Sequence, residues 1–286
     1  MEWLLNDDGS IRKFPLDEYA SSALDWLTLH LASLTRGLSA FVAGWISTGT
    51  EFLLHIPAWA LILALAGGAF ALAGRRVGLL ALFGFLFLWN LRLWDATVET
   101  LVLVTLSTLA ALLIGLPIGI GCALSERAWK TVSPALDMMQ TMPSFVYLIP
   151  AIPFFGLGSV SAVFATVIFS MPPVIRLTAL GIRGVPHDLT EAADAFGTTP
   201  VQKLLKVQLP LALPTIMAGI NQTIMLGLSM VVIASMIGAG GLGREVWRSI
   251  QRLDAGSGFQ AGIAIVILAV VLDRVTQAMA RRARSA

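Results

Sequence analysis

Hydrophobic and polar positions follow two different rhythms along this chain. Near the start, Leu24, Leu27, Leu31, Leu34, Leu38, Phe41 and Trp45 recur at spacings of three and four, the stripe of an amphipathic helix. Asp25, Thr28, His30, Ser33, Thr35, Arg36 and Ser39 lie between them. Such a helix suits the surface of a membrane. A coiled-coil or partner-packing helix would carry the same stripe. From residue 52 onward the rhythm becomes runs with no Asp, Glu, Lys or Arg: 52–74, 77–91, 100–125, 138–175, 207–243 and 255–272. About 20 mostly apolar residues cross a bilayer as a helix. The run 138–175 is too long for one crossing and divides at Phe155-Gly156-Leu157-Gly158-Ser159. The pattern therefore predicts seven spans, at 57–73, 77–93, 98–124, 143–156, 159–182, 208–237 and 259–280. Pro143, Pro150 and Pro153 predict a kink in the short fourth one.

Composition narrows the class. Only 13% of the 286 residues are charged, 57% are hydrophobic and the mean hydropathy is +0.82. Soluble domains carry about 25% charged residues. The expectation is an all-α polytopic membrane protein, not a soluble monomer, a disordered chain or a nucleic-acid binder. Residues 1–20 are acidic without an apolar run, unlike a signal peptide. The single cysteine, Cys122, excludes an internal disulfide. With the N-terminus outside, seven crossings give +6 on the cytoplasmic side and −4 outside. The Lys and Arg bias thus predicts N-out, C-in. Trp59, Trp89, Trp94 and Trp129 fall near predicted span ends, as an aromatic belt requires. The divisions expected are 1–56 with the interfacial helix, 57–96 with two accessory spans, and a core at 97–286.

The one long cytoplasmic loop, 183–207, has helix punctuation. Asp188 with Glu191 reads as a capping box. Ala192, Ala193 and Ala195 favour helix. Gly197 suits a left-handed stop, and Thr199-Pro200 opens a second helix. A stiff cytoplasmic knob of this kind suits docking to another protein.

Glu191-Ala192-Ala193, Gly197 and Val207-x-Leu209-Pro210 resemble the EAA loop of the permease subunits of ABC importers. The family pattern is E-A-A-x3-G-x9-I-x-L-P, and Val207 in place of Ile is the one departure. Residues 137–150, 172–178 and 230–243 resemble the osmoprotectant branch, importers of glycine betaine, proline betaine and choline. The likeness covers about 97–280. It implies a type I importer permease fold in the inner membrane, with this loop seated on an ATP-binding-cassette ATPase. It implies that Glu191 makes polar contacts with that ATPase and that Gly197 permits the turn. It also implies ATP and magnesium on the partner, none on this chain, and an extracytoplasmic substrate-binding protein. An importer needs two transmembrane halves, which points to a permease homodimer. The same machine with an amino-acid or sulfonate cargo stays open, as does, more remotely, a secondary transporter.

Other residues are two-sided in the sequence. Asn221, Gln222, Met225 and Ser229 sit in an uncharged span, and Asn221 and Ser229 are expected on one face. They line a path or bind helix to helix. Gln140, Thr141 and Met142 border the fourth span as gate candidates. Arg176 is expected to snorkel to the cytoplasmic edge or, as the alternative, to pair with an unidentified partner. Tyr147 is the one tyrosine in a span, so an aromatic cage for a quaternary ammonium belongs on a separate protein. Gly238 to Gly243 match GxGxxG but follow a span, and read as a flexible external turn. No GxxxxGKS/T occurs, His30, His55 and His187 are isolated, and no nucleophile has a base.

Overall fold

The computed structural model describes residues 15–285; the acidic segment 1–14, with Arg12 and Lys13 of the charge count, and Ala286 lie outside the described residues. The described chain is helical throughout: α1 (Leu16–His30), α2 (Ala32–His55), α3 (Ala58–Ala73), α4 (Arg75–Asn90), α5 (Trp94–Leu124), α6 (Glu126–Thr141), α7 (Leu148–Phe155), α8 (Ser159–Arg183), α9 (His187–Ala195), α10 (Pro200–Lys203), α11 (Leu209–Ala234), α12 (Leu242–Arg252) and α13 (Ala255–Ser285).

The centre is a three-helix packing of α5, α8 and α11, with α13 against α11. Small residues let the backbones meet. A Cβ on Gly119 of α5 would lie 2.8 Å from the Ile175 carbonyl of α8, and one on Gly219 of α11 would lie 3.2 Å from the Pro173 carbonyl. Close approach at small residues is how helices associate where lipid removes the hydrophobic drive. Leu103, Val231 and Leu268 fill the core beside it, joined by Ile62, Phe85 and Leu88 from α3 and α4. The outer surface is apolar as well: Leu113, Phe83 and Val266 are exposed, as lipid-facing positions are.

Among the described residues four helices are long and apolar enough to cross a membrane alone: Trp94–Leu124, Ser159–Arg183, Pro200–Ile237 and Ala255–Arg282. The other three expected spans take different forms. Span 57–73 is α3, which follows α2 at a bend of 103°. α3 and α4 have 16 residues each and form a hairpin through Gly74. At 1.5 Å per residue each reaches roughly 24 Å, short of a hydrocarbon core of about 30 Å. A short helix is met by local thinning of the bilayer. Span 143–156 is the far limb of a pair, α6 and a 3₁₀ turn with α7, bent by 112° at Met142-Pro143. Pro143 follows a residue it excludes from the helical region: Met142 has ψ 135°. The seven expected spans are thus four long helices, α4, and one limb of each of two bent pairs, and the kink predicted in the fourth is the bend at Met142-Pro143.

The N-terminal stripe also takes an unexpected setting. One residue, Leu31, interrupts the helix. Thr35, Val42, Ile46 and Gly49 of α2 face the body, Gly49 lying against Val102 of α5. Leu34, Leu38, Phe41 and Trp45 face outward. α2 is therefore apolar on both sides, with the large side chains of the stripe directed away from the protein.

Candidate functional site

The knob between α8 and α11 is built almost wholly from local rules. α9 ends in a Schellman motif: Thr198 N–H donates to the Ala193 carbonyl at 3.2 Å, and Gly197 N–H to that of Asp194 at 2.9 Å. Gly197 has φ +73°, which glycine adopts without strain. Thr199 and Gln202 then form a reciprocal capping box around Pro200. Lys203 Nζ lies 2.8 Å from both Asp194 carboxylate oxygens and braces α10 on α9.

The expected capping box at Asp188 and Glu191 is absent. Pro186 holds the cap position of α9, so Asp188 falls inside the first turn. Glu191 instead approaches His187 Nδ1 at 3.1 Å. Glu191 and Ala192 are exposed while Ala193 is buried at the knob's base. α10 does not end before the span. It continues through one π turn, Leu204–Gln208, into α11. Leu209 N–H donates to Leu204, five residues back, and Pro210 has no N–H to restore the α pattern. Leu209 packs on Ile182, Ala212 and Ile216, which roots the knob in the bundle. The outer rim is apolar. Phe196 is 89% exposed, with Val201, Leu205 and Leu189 also open.

The structure separates the expected path residues. Asn221 Nδ2 donates to Asp273 Oδ1 at 2.9 Å, and Gln277 Nε2 donates to both oxygens of that carboxylate at 2.8 Å. Asn221 therefore binds α11 to α13. Gln222 and Ser229 are exposed on another face, with Met225 half-buried and accepting from the Ser229 hydroxyl at 3.1 Å. The expectation that Asn221 and Ser229 share a face fails for a simple reason. Eight residues overshoot two helical turns by about 80°, whereas the seven from Gln222 to Ser229 return to within about 20°. Gln140, Thr141 and Met142 are exposed at the end of α6, just before its bend. Tyr147 pins that bend by donating from its hydroxyl to the Met139 carbonyl.

Three arrangements were not read from sequence. Arg176 does not snorkel alone; its guanidinium pairs with Asp137 of α6. Arg183, at the end of α8, pairs with Glu126 at 2.9 Å and lies 5.3 Å over the Trp129 ring. The turn 238–243, expected to be external and flexible, is packed against α5. Gly241 and Leu242 donate to Glu99 Oε2 and Thr100 Oγ1, each at 2.8 Å. A Cβ on Gly240 would sit 1.4 Å from Glu99 Oε1. The available signal was Glu99 itself, a lone acid bordering the uncharged run 100–125. Among the described residues no group of His, Cys, Asp and Glu is arranged to hold a metal.

Comparison with known proteins fits this architecture. Residues 115–285 match the family described as binding-protein-dependent transport system inner membrane component. The chain belongs to this family. The permease is 50% identical over 269 residues to the glycine betaine transport system permease protein OpuAB of Bacillus subtilis, covering 93% of this chain and 94% of that one. It is 49% identical over 280 residues to the glycine betaine/carnitine transport permease protein GbuB of Listeria monocytogenes, covering 96% and 99%. To the glycine betaine/proline betaine permease ProW of Escherichia coli it is 48% identical over 271 residues, covering 95% and 77%. Among solved structures, a chain of the inward-facing MetNI methionine ABC transporter superposes with TM-score 0.62 at 24% identity, covering 67% of the permease and 95% of that chain. The permease therefore has the fold of an ABC importer membrane subunit and is a multi-pass inner-membrane protein.

Proposed function

We propose that this permease is the membrane-crossing subunit of an ATP-driven importer for quaternary-ammonium compatible solutes: glycine betaine, proline betaine and choline. The observation that carries the cargo class is near-full-length identity of 48–50% to three permeases named for glycine betaine. The observation that carries the mechanism is the braced knob with its exposed apolar rim. In this reading Glu191, Ala192, Ala193 and Gly197 dock on an ATP-binding-cassette ATPase, which holds ATP and magnesium. Leu209 and Pro210 hand the motion to α11. Two permease copies form the channel, fed by an extracytoplasmic substrate-binding protein. ATP binding draws the ATPases together, and the permease halves rock as rigid bodies to open the path to one side at a time.

Gln222, Met225 and Ser229, on one face of α11, are the proposed path, with Gln140, Thr141 and Met142 as its cytoplasmic border. Asn221 stands at the edge of that face, tied to α13 through Asp273. The charge asymmetry supports N-out, C-in, and the 103° bend supports α2 lying at the interface before α3 enters the bilayer. The proposed division is 1–56, 57–96 and 97–286, the last boundary falling three residues into α5. The test is reconstitution with ATPase and binding protein, followed by ATP-dependent uptake of labelled glycine betaine, choline and proline. Uptake of a betaine supports the cargo. Uptake of a different solute while all three stay outside overturns it.

A further inference from the structure

At the corner where α2 turns into α3, the structure holds a pocket of about 450 Å³, between Leu54 and Pro57 on one side and Trp89, Arg92, Trp94 and Asp95 on the other. Trp94 is its buried floor, fixed edge-to-face on Phe85 at 6.2 Å. Trp89 is half-open beside it.

Arg92 is held in an unusual way. It takes the residue after the cap of α4 in a second Schellman motif, with Arg92 N–H donating to Trp89 and Leu93 N–H to Leu88, each at 3.0 Å. Its φ is +57°, where the equivalent residue of the α9 motif is a glycine. Observed strain of this kind at an arginine points toward a use for its side chain. Among the described residues neither Arg92 nor Asp95 makes a side-chain hydrogen bond or ion pair. One cation and one anion thus stand free on the rim of a tryptophan-lined pocket.

We propose that this pocket seats the headgroup of a zwitterionic phospholipid, the phosphate on Arg92 and the ammonium against Asp95 and the tryptophan faces. Arginine suits a phosphate through its fork of donors. An ammonium is attracted both to a carboxylate and to an indole face. Tryptophans of this kind mark the headgroup level of a bilayer. The helix α3 that begins at the pocket also carries exposed apolar side chains, Trp59 and Leu63 among them, along which acyl chains can run. A free betaine shares the paired charges but has no use for that flank and would leave most of the volume unfilled. An anionic lipid without an ammonium would leave Asp95 facing a like charge.

The experiment is native mass spectrometry of the full-length permease released from membranes of mixed phosphatidylethanolamine and phosphatidylglycerol. The informative variant is Arg92→Gly, which removes the guanidinium while relieving the strained backbone, so lost binding cannot be blamed on a weakened fold. Wild type should retain phosphatidylethanolamine through detergent exchange. Arg92→Gly should lower that occupancy roughly tenfold, the loss of one charge-assisted contact. Asp95→Asn should keep a bound lipid but lose the preference for phosphatidylethanolamine over phosphatidylglycerol. Equal retention by wild type and Arg92→Gly overturns the proposal. So does displacement of the lipid by free glycine betaine, which would assign the pocket to a soluble zwitterion instead.

Discussion

Gly197 gives the sharpest test of the coupling knob, because its two structural demands can be separated. Its φ is +73°, yet a Cβ built there meets nothing within 4 Å. Gly197→Ala therefore adds no clash and costs only the backbone term, about 1–2 kcal/mol for a left-handed L-residue. The bracing contacts nearby are of similar size. The Lys203–Asp194 pair is partly exposed and contributes about 0.2–1 kcal/mol. The two Schellman hydrogen bonds contribute about 1 kcal/mol each. A 1–2 kcal/mol strain thus disfavours the folded turn of the knob by roughly 5- to 30-fold while leaving the distant bundle intact. Asparagine tolerates the left-handed region better than alanine, and valine worse. The expected ranking of ATPase-coupled uptake is glycine, asparagine, alanine, valine, with equal amounts of protein in the membrane. Gly197→Asp tolerates the left-handed region about as asparagine does, so its expected loss of coupling with normal insertion comes from the charge it adds to the docking surface. Uptake and ATPase co-purification are the assays. Equal coupling in the alanine and valine variants, or loss of the protein from the membrane, would refute the reasoning.

Other outcomes follow from single contacts. Phe196→Ser should weaken ATPase association by roughly tenfold or more, as an interface anchor does, yet leave thermal stability unchanged because Phe196 is open to solvent; pull-down titration and a melting curve separate the two. A Cβ at Gly240 must displace the Glu99 carboxylate from the Gly241 N–H. Gly240→Ala and Glu99→Ala should therefore be strongly non-additive, and additive melting shifts in the double variant would sink this account. Asp254 has its pKa lowered, chiefly by the Ser257 side-chain hydrogen bond and then the Ser257 backbone one. A depressed carboxylate contributes stability above its ordinary value of 3.8 that is lost as pH falls through the folded-state value. The melting difference between wild type and Ser257→Ala should accordingly be present at neutral pH and vanish in strong acid.

What was legible in the sequence was whatever local chemistry fixes. Gly197, Thr199 and Pro200 announced their turn and cap because those conformations need those residues. The long spans were readable because lipid leaves no room for charge. What was illegible depended on partners far away in sequence. Glu99 and Gly241 meet across 142 residues, and nothing local marks a glycine as the place where a carboxylate rests. The helix α12 was missed because its charges, from Arg244 to Arg252, read as loop once spans were sought by charge-free runs. Asn221 was misassigned to the face of Ser229 because each lies four residues from Met225, and two such steps drift by about 80°.

The contacts that sequence missed bear directly on how a knob could move a path. The knob has two roots. One is the continuous helix from Pro200 to Ile237, which carries Gln222 and Ser229 on the proposed path. The other is Arg183, at the start of the loop, and it does not end in α8. Through Glu126, the Ser125 carbonyl and the Trp129 ring it grips the first turn of α6. The far end of α6 is gripped again, where Asp137 meets Arg176. Three residues beyond Asp137 stand Gln140, Thr141 and Met142, at the 112° bend. In the proposed mechanism a displacement of the knob therefore has two routes to the borders of the proposed path, one helix on one side and two ion pairs on the other. Arg176 and Arg183 each bury an Nε without a partner, and that cost is tolerated where side chains hold a connection that packing alone, across exposed Met138 and Met142, does not supply.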